Sequence, residues 1–282
     1  MDKKIKAAIK SITPKIFLDG YHHYKERGVK RRQQEIQIGV GKCLSELNEK
    51  RSIDLGKFLL SVQPQIILPD LTFIVGGSTP LDYAFLKAVA IKYQRRNYLE
   101  IGTYIGESIR VVSDVCNICH SVTAIPGSPY SMSAWCKEAG IPDYTERLAD
   151  IPNVVHHYVE DSKKFDYTSV NDSIDMYFID ADHSYDGVYA DTKNVFSSKG
   201  KDAIVVWHDF KGGSGLCGSS LAVHDAIGND EWENVFCVDN NVCGIYLPKE
   251  YQQNLPLRKF EWTEERQPLY VYTTTLNLRK ID

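Results

Sequence analysis

The residues best suited to chemistry in this chain follow directly after two apolar segments. Asp180 follows the first segment and His183 stands three residues later, while His208 and Asp209 follow the second. A carboxylate at the end of a buried run is unfavourable unless it binds a cation or hydrogen-bond donors. A histidine has a pKa near neutrality, which suits a general base. We therefore expect His183 and Asp180 to be catalytic, and Asp180, Asp209 and His208 to hold a divalent cation such as Mg²⁺.

Helix capping is the simpler interpretation of these aspartates, because Asp favours the N-cap position. That interpretation would be adequate for a single Asp. Acid-and-histidine pairs after two separate apolar segments favour a functional site instead.

Two further polar segments also follow apolar runs. Glu100, Gly102 and Gly106 belong to a G-x-x-x-G loop, whose spacing differs from the G-x-G-x-x-G of dinucleotide sites and so disfavours pyrophosphate binding. Glycines in such a loop allow a ligand to approach the backbone, although a plain strand-to-helix turn explains the loop about as well. Asp161 and Ser162 follow another apolar run and are suited to accept a hydrogen bond from an exocyclic amine.

The elements that must position these residues alternate regularly between short apolar strands and amphipathic helices. Seven strands are predicted at 98–101, 121–125, 154–159, 174–179, 203–207, 235–238 and 242–247. Alternation of this kind predicts an α/β fold, Rossmann-like, with a seven-stranded mostly parallel sheet and helices on both faces. The last two strands have no long helix between them, which suggests one antiparallel strand at an edge. Because ligands bind beyond the carboxyl ends of parallel strands, we expect the polar segments to converge there.

The N-terminal region reads as a helical extension with helices broken at Pro14, Gly20, Gly28 and the Gly39/Gly41 pair, and a further helix is predicted over 80–93. We expect a helical extension or cap over 1–70, a main domain over 71–250 and a strand-like C-terminal extension over 251–282.

Composition and charge exclude several classes of protein. The 282 residues are 43% hydrophobic and 25% charged, as in soluble globular proteins. A net charge of -4 disfavours a nucleic-acid binder. The charge is unevenly distributed, however. Residues 1–51 contain 13 Lys and Arg and 6 Asp and Glu, whereas the remaining residues contain 20 Lys and Arg and 31 Asp and Glu. A basic N-terminal region therefore precedes an acidic remainder. No apolar run is long enough for a transmembrane segment, and seven cysteines without framework spacing favour a reducing, cytoplasmic location.

Four motifs together resemble the class I S-adenosylmethionine-dependent methyltransferases over residues 80–248. They are Glu100-x-Gly102-x-x-x-Gly106, Asp161-Ser162, Phe178-Ile179-Asp180-Ala181-Asp182-His183-Ser184-Tyr185 and His208-Asp209. The most similar subgroup is the small-molecule O-methyltransferases with an IDxDHSY signature. This resemblance implies S-adenosylmethionine as cofactor, with Glu100, Gly102, Gly106 and Ser108 around its methionine portion and Asp161 and Ser162 at its adenine.

The resemblance is closer to one branch of these enzymes than to the others. Metal-dependent catechol and caffeoyl-ester branches have a metal-binding Asp at the position of Asp180 and a Lys at that of His183. Some sugar O-methyltransferases have His there, as this chain does. Two departures stand out: His208-Asp209 replaces the usual pair of acids or Asp-Asn, and no acid follows the second strand, where Ser128 is a candidate replacement for the ribose contact.

These observations lead to one main hypothesis, an O-methyltransferase that methylates a hydroxyl of a small polyhydroxylated acceptor, such as a sugar, nucleotide sugar or glycan precursor. The basic N-terminal region would then cap the cleft, contact a phosphorylated acceptor or build a homo-oligomer. The alternative is a catalytically degenerate methyltransferase fold that binds the cofactor or a partner. Metal-dependent hydrolysis would need more ligands than the sequence supplies.

Overall fold

The computed structural model describes residues 29–49, 51–63, 65–72, 74, 76–170, 173–211 and 219–258. The predicted helix breaks at Pro14, Gly20 and Gly28 and the strand-like tail beyond residue 258 lie outside these ranges. In the described part of the chain, no helix combines the length and apolar character needed to span a bilayer.

A single eight-stranded sheet forms the centre of the structure. Its strands are Ser52–Ile53 (β1), Asn97–Ile101 (β2), Ile118–Ala124 (β3), Val154–Val159 (β4), Met176–Ile179 (β5), Ile204–Trp207 (β6), Val235–Val238 (β7) and Gly244–Tyr246 (β8). They are ordered β1-β7-β8-β6-β5-β2-β3-β4, and only the pairings of β8 are antiparallel. The predicted mostly parallel α/β architecture is therefore confirmed.

Two details of the sheet differ from the sequence-based prediction. An eighth strand, β1, joins the seven predicted ones beside β7, because two buried residues before the first short helix pair with Cys237 and Val238. The antiparallel strand β8 lies inside the sheet, between β6 and β7, rather than at an edge. A tight β7–β8 connection lets β8 fill this place without a crossover helix.

Helices cover both faces of the sheet. They are residues 29–49 (α1), Leu55–Val62 (α2), Pro80–Lys92 (α3), Glu107–Val112 (α4), Met132–Ala139 (α5), Tyr185–Ser198 (α6) and Ser219–Trp232 (α7). One apolar core contains side chains of α2, α3 and α4, and the other contains side chains of α1, α6 and α7. Burial of both faces explains why the strands read as continuous apolar runs.

Helix α1 continues through Gly39 and Gly41, so the predicted break at this pair is wrong. A Cβ at Gly39 would lie 2.5 Å from a methyl group of Leu221 on α7, whereas nothing lies within 4 Å of the same position at Gly41. Close packing against α7 thus explains why a glycine occurs at position 39 inside a helix. Tertiary contact here overrides the local preference of glycine for helix ends.

Register in the middle of the sheet brings three strand ends to one level. Ile101 on β2 pairs with Ile179 on β5, and Ile179 pairs with Trp207 on β6. The pattern continues one residue further, since Asp180 N donates to Ile101 O at 2.9 Å and His208 N donates to Ile179 O at 3.1 Å. The residues that follow these strands therefore form the floor of one cleft, as expected for parallel strands.

Candidate active site

Four polar side chains meet beyond the carboxyl ends of β5 and β6. The His183 ring lies between two carboxylates: its Nε2 is 3.2 Å from Asp180 Oδ1, and its Nδ1 is 3.0 Å from Asp209 Oδ2. His208 Nδ1 is 3.3 Å from the same Asp180 oxygen and 3.5 Å from the same Asp209 oxygen. The structure thus brings together all the residues that the sequence predicts for catalysis and metal binding.

A sharp turn after β6 places the Asp209 carboxylate in this group. Asp209 has a positive φ of 49°, a conformation that short polar side chains tolerate better than branched ones. The next residue, Phe210, donates its N–H to Val242 O at 2.9 Å and buries its ring completely. This anchored aromatic residue fixes the turn from the other side.

Asp82 adds a carboxylate that the sequence analysis missed. It is 3% exposed, and its Oδ2 lies 3.8 Å from His208 Nε2. Asp82 caps α3 together with Thr79, whose hydroxyl donates to the same oxygen at 2.6 Å. The T-x-x-D pattern signals a helix start, but no local signal shows that the start of α3 lies next to the end of β6.

The pKa shifts in this cluster follow from opposite charges held close together. Burial alone would raise the pKa of Asp180, but the charge of His208 and the hydrogen bond with His183 lower it to about 2. The hydrogen bond to Asp180 raises the pKa of His183. Burial opposes the charged form of His208, yet the surrounding carboxylates raise its pKa. The cluster therefore favours the ionised form of Asp180 and the protonated forms of His183 and His208.

Three of these side chains could hold a metal ion. The ligand atoms of Asp180, His183 and Asp209 all lie within 4.8 Å of one another. This grouping contains His183 where the sequence-based ligand set has His208, whose buried ring nitrogens form no hydrogen bond of normal geometry within the described residues. Two carboxylates and an imidazole form a donor set that suits divalent first-row metals, with carboxylate oxygens favouring Mg²⁺ or Mn²⁺. The residues present therefore fit a divalent cation.

The glycine loop lies beside this cluster, and its glycines serve the packing of the protein itself. A Cβ on Gly102, whose φ is 94°, would overlap the backbone of Asp180 and Ala181. A Cβ on Gly106, whose φ is 92°, would lie 2.7 Å from Ala149 N. Both positions thus require glycine for backbone conformation and for close approach of other chain segments.

Glu100 and Ser108 are linked below this loop. Glu100 is fully buried; its two oxygens accept from Tyr98 OH at 2.9 Å and Thr103 Oγ1 at 2.7 Å. Burial raises the pKa of Glu100 to about 7, although hydrogen bonds from Ser108, Thr103 and Tyr98 oppose the shift. The Glu100 carboxylate therefore organises the base of the loop from inside the protein.

Asp161 and Ser162 lie at the carboxyl end of β4, where the sequence places them. Asp161 Oδ1 accepts from Lys163 N at 3.0 Å and caps the 3-10 helix Ser162–Lys164. Ser162 Oγ donates to Asp191 Oδ1 on α6 at 2.8 Å. Both side chains are half-buried.

The end of β3 has no carboxylate in the place expected for a ribose contact. Ile125 follows β3 and is 41% exposed. Ser128, the candidate replacement, has a buried Oγ that finds no hydrogen-bond partner in the described ranges. An unpaired buried hydroxyl is unfavourable.

Residues 99–210 match a family model described as a methyltransferase domain. The matched segment runs from β2 to just beyond β6 and contains every predicted site residue. It covers less than half of the chain. No curated protein sequence matches this chain.

Several solved structures are similar to this fold. The SAH-bound methyltransferase PaMTH1 of Podospora anserina is 14% identical, with 74% of this chain and 93% of that chain covered and a TM-score of 0.42. The TDP-rhamnose 3'-O-methyltransferase CalS11 of calicheamicin biosynthesis is 14% identical, with 59% and 78% covered and a TM-score of 0.43. An O-methyltransferase from Bacillus cereus in complex with SAH is 15% identical, with 68% and 90% covered and a TM-score of 0.41. At these low identities and TM-scores, the chemistry of this chain has to be argued from its own residues.

Proposed function

We propose that this chain, whose residues 99–210 match a methyltransferase domain, is an S-adenosylmethionine-dependent O-methyltransferase. Its acceptor would be a hydroxyl of a small polyhydroxylated molecule, of the sugar, nucleotide-sugar or glycan-precursor class. The observation that carries this proposal is the placement of His183 between Asp180 and Asp209, next to the loop that contains Gly102.

The reaction requires orientation and the removal of one proton. S-adenosylmethionine supplies an activated methyl group when bound, so the protein has to align the acceptor oxygen with it and accept the hydroxyl proton. At a pH above its raised pKa, His183 is neutral, so it can donate from one ring nitrogen to a carboxylate and accept that proton on the other. Asp180 and Asp209 then hold the ring in place and stabilise the imidazolium that results.

A divalent cation would be held by Asp180 and Asp209, which leaves a ring nitrogen of His183 to act as the base, and the cation would supply Lewis-acid polarisation of the acceptor hydroxyl. A sugar hydroxyl has a pKa far above neutrality, so both a base and a neighbouring positive charge favour its deprotonation. Buried His208 lies beside the same two carboxylates and offsets part of their negative charge.

A phosphorylated acceptor would give the basic N-terminal region a role. Arg32 on α1 pairs with Asp186 in the first turn of α6 at 2.7 Å. Asp186 lies only three residues beyond His183, so α1 reaches the rim of the cleft. This contact supports the assignment of the N-terminal extension as a cap near the acceptor.

Two assays test the proposal in sequence. Calorimetry with S-adenosylmethionine should show binding. No binding at millimolar S-adenosylmethionine would exclude methyl transfer from this cofactor. Transfer of a labelled methyl group to a pool of sugars, sugar phosphates and nucleotide sugars should then identify the acceptor class. Adding Mg²⁺ or Mn²⁺ after chelator treatment should raise both the unfolding temperature and the transfer rate, and an unchanged rate would remove the metal from the proposal.

A catalytically degenerate methyltransferase fold that binds the cofactor or a partner is the second candidate function. It is favoured by one observation, the exposed Ile125 where an acid would contact the ribose. Cofactor binding together with no methyl transfer to any tested hydroxyl class would favour this alternative.

A further inference from the structure

Asp191 is a buried carboxylate that the proposed reaction does not use. It is fully buried on α6, and its Oδ1 accepts a hydrogen bond from Ser162 Oγ at 2.8 Å. Its Oδ2 has no hydrogen-bond partner within the described residues. A carboxylate buried in this way is costly unless it serves a specific contact, and within the described residues its side-chain hydrogen bond is with Ser162.

The 3-10 helix Ser162–Lys164 is tied to its surroundings by two further contacts. Asn194 Nδ2 on α6 donates to Lys163 O at 3.0 Å. Lys163 Nζ lies 3.5 Å from Asp182 Oδ2, in the segment that follows β5. Together with the Ser162–Asp191 bond, these contacts hold Ser162 in one orientation against α6.

This arrangement determines which hydrogen-bonding role Ser162 can offer to a ligand. A hydroxyl has one hydrogen to donate and two lone pairs to accept with. Because the hydrogen of Ser162 is donated inward to Asp191, only the lone pairs of Oγ remain for the cleft. The neighbouring Asp161 carboxylate is also an acceptor, so both side chains present acceptors beyond the end of β4.

We propose that Asp191 sets the hydrogen-bonding polarity of Ser162 and thereby makes this part of the cleft select an amino group over a carbonyl on the bound base. The inference rests on the proposed function, with the adenine of the cofactor at Asp161 and Ser162, the position that the resemblance to S-adenosylmethionine-dependent methyltransferases implies. The 6-amino group of adenine donates to these acceptors, whereas a 6-oxo group in its place would face oxygen lone pairs. Asp191 is thus a positioning residue for cofactor specificity and acts through Ser162.

Calorimetry with two probes tests this inference: S-adenosylhomocysteine and its 6-oxo analogue S-inosylhomocysteine. The unmodified protein should bind the 6-amino compound at least about tenfold more tightly, because an unpaired acceptor facing another acceptor is unfavourable. In Asp191→Ala the Ser162 hydroxyl is free to rotate and donate outward. The affinity ratio of the two probes should therefore fall to within about threefold.

The ratio separates specificity from a general loss of structure. Loosening of the 3-10 helix would weaken both probes alike and leave the ratio unchanged, which would overturn the role of Asp191. Ser162→Ala is a second test variant, because loss of the hydroxyl acceptor should also lower the affinity ratio of the two probes. This variant replaces Asp191→Ala in the test if Asp191→Ala does not fold. Ser197→Ala, on the exposed surface of the same helix, is the matched control and should keep the ratio of the unmodified protein.

The outcomes also distinguish this inference from the proposed function. Binding of neither probe by the unmodified protein would overturn both. Binding of S-adenosylhomocysteine with an unchanged ratio in Asp191→Ala and Ser162→Ala would overturn the inference alone and leave the proposed function standing.

Discussion

His183 is the side chain on which the proposed chemistry depends most directly. Both of its ring nitrogens face carboxylates at 3.0–3.2 Å, and its side chain is still 46% exposed. It is therefore held in orientation by Asp180 and Asp209 while remaining open to a ligand in the cleft. A fully buried histidine with the same partners could not take a proton from an acceptor.

Replacing His183 by alanine should lower kcat for methyl transfer by about 10²- to 10⁴-fold, because the proton acceptor is lost. The Kd for S-adenosylmethionine should change little, since the polar contacts of His183 within the described residues are with Asp180 and Asp209 and not with the glycine loop. Rates and calorimetric affinities of the purified variant check both expectations.

His224→Ala is the matched control for that substitution. His224 lies on α7, where it contacts Asp225, Asn229 and Trp232, and within the described residues it does not contact Asp180, Asp209 or His208. A similar fall in kcat for both variants would remove the base role from His183.

The loop between β2 and α4 shows how an element acts through its backbone. Gly102 and Gly106 both have positive φ values, and each is approached closely by another segment of chain. Segment 146–149 lies alongside the loop and is hydrogen-bonded to it. Glu146 N donates to Tyr104 O at 2.5 Å, and Leu148 N donates to Ile105 O at 2.9 Å. The shape of the loop therefore depends on neighbours distant in sequence.

Gly102→Ala should destabilise the protein by several kcal/mol, because the new methyl group would overlap the backbone at Asp180 and strain a left-handed residue. Gly127→Ala is the control: its φ is also positive, at 79°, but nothing lies within 4 Å of the Cβ position. This control should lose only about 1–2 kcal/mol. Urea unfolding of both variants measures the difference, and equal losses would show that the close approach does not matter.

In helix α1, by contrast, we expect a glycine-to-alanine substitution to stabilise the protein. Gly41→Ala should stabilise the protein by up to about 1 kcal/mol, because alanine is the better helix former and the site is open. Gly39→Ala should gain less or lose stability, since Leu221 must move. If thermal unfolding ranks the two variants in the reverse order, the packing of α1 on α7 is wrong.

At the scale of the whole molecule, the sheet separates two apolar cores, and buried carboxylates on β2 and α6 have ionisations that oppose folding. Burial raises the pKa of Glu100 to about 7 and that of Asp191 to about 6. In the folded protein these groups keep their protons at pH values where the unfolded chain has released them. The folded state therefore binds more protons between about pH 4.5 and 7, and stability falls as the pH rises through that window.

Glu100→Gln should flatten this dependence. Between pH 5 and pH 7 the unmodified protein should lose about 2 kcal/mol of unfolding free energy through Glu100, a loss that the variant cannot show. Urea unfolding of both proteins at the two pH values measures the difference. Parallel profiles would mean that Glu100 is ionised in the folded state throughout this range.

Much of the fold follows from local patterns in the sequence. Apolar strands alternating with helices predicted the parallel sheet, and helix α3 begins at Pro80 as its T-P-x-D start indicates. The eighth strand escaped prediction because two residues carry no periodicity. The inner position of β8 also depends on which strands pair, a choice made by long-range contacts rather than by propensity.

The sequence by itself determined which side chains follow the strands, and parallel pairing then requires that Asp180, His183, His208 and Asp209 share one edge. Only the tertiary structure decided that His183 lies between the two carboxylates, that Asp82 from α3 approaches His208, and that Asp191 takes the hydrogen of Ser162. Each of these contacts joins residues on different elements. Their distances depend on how helices pack on the sheet, which no local spacing encodes.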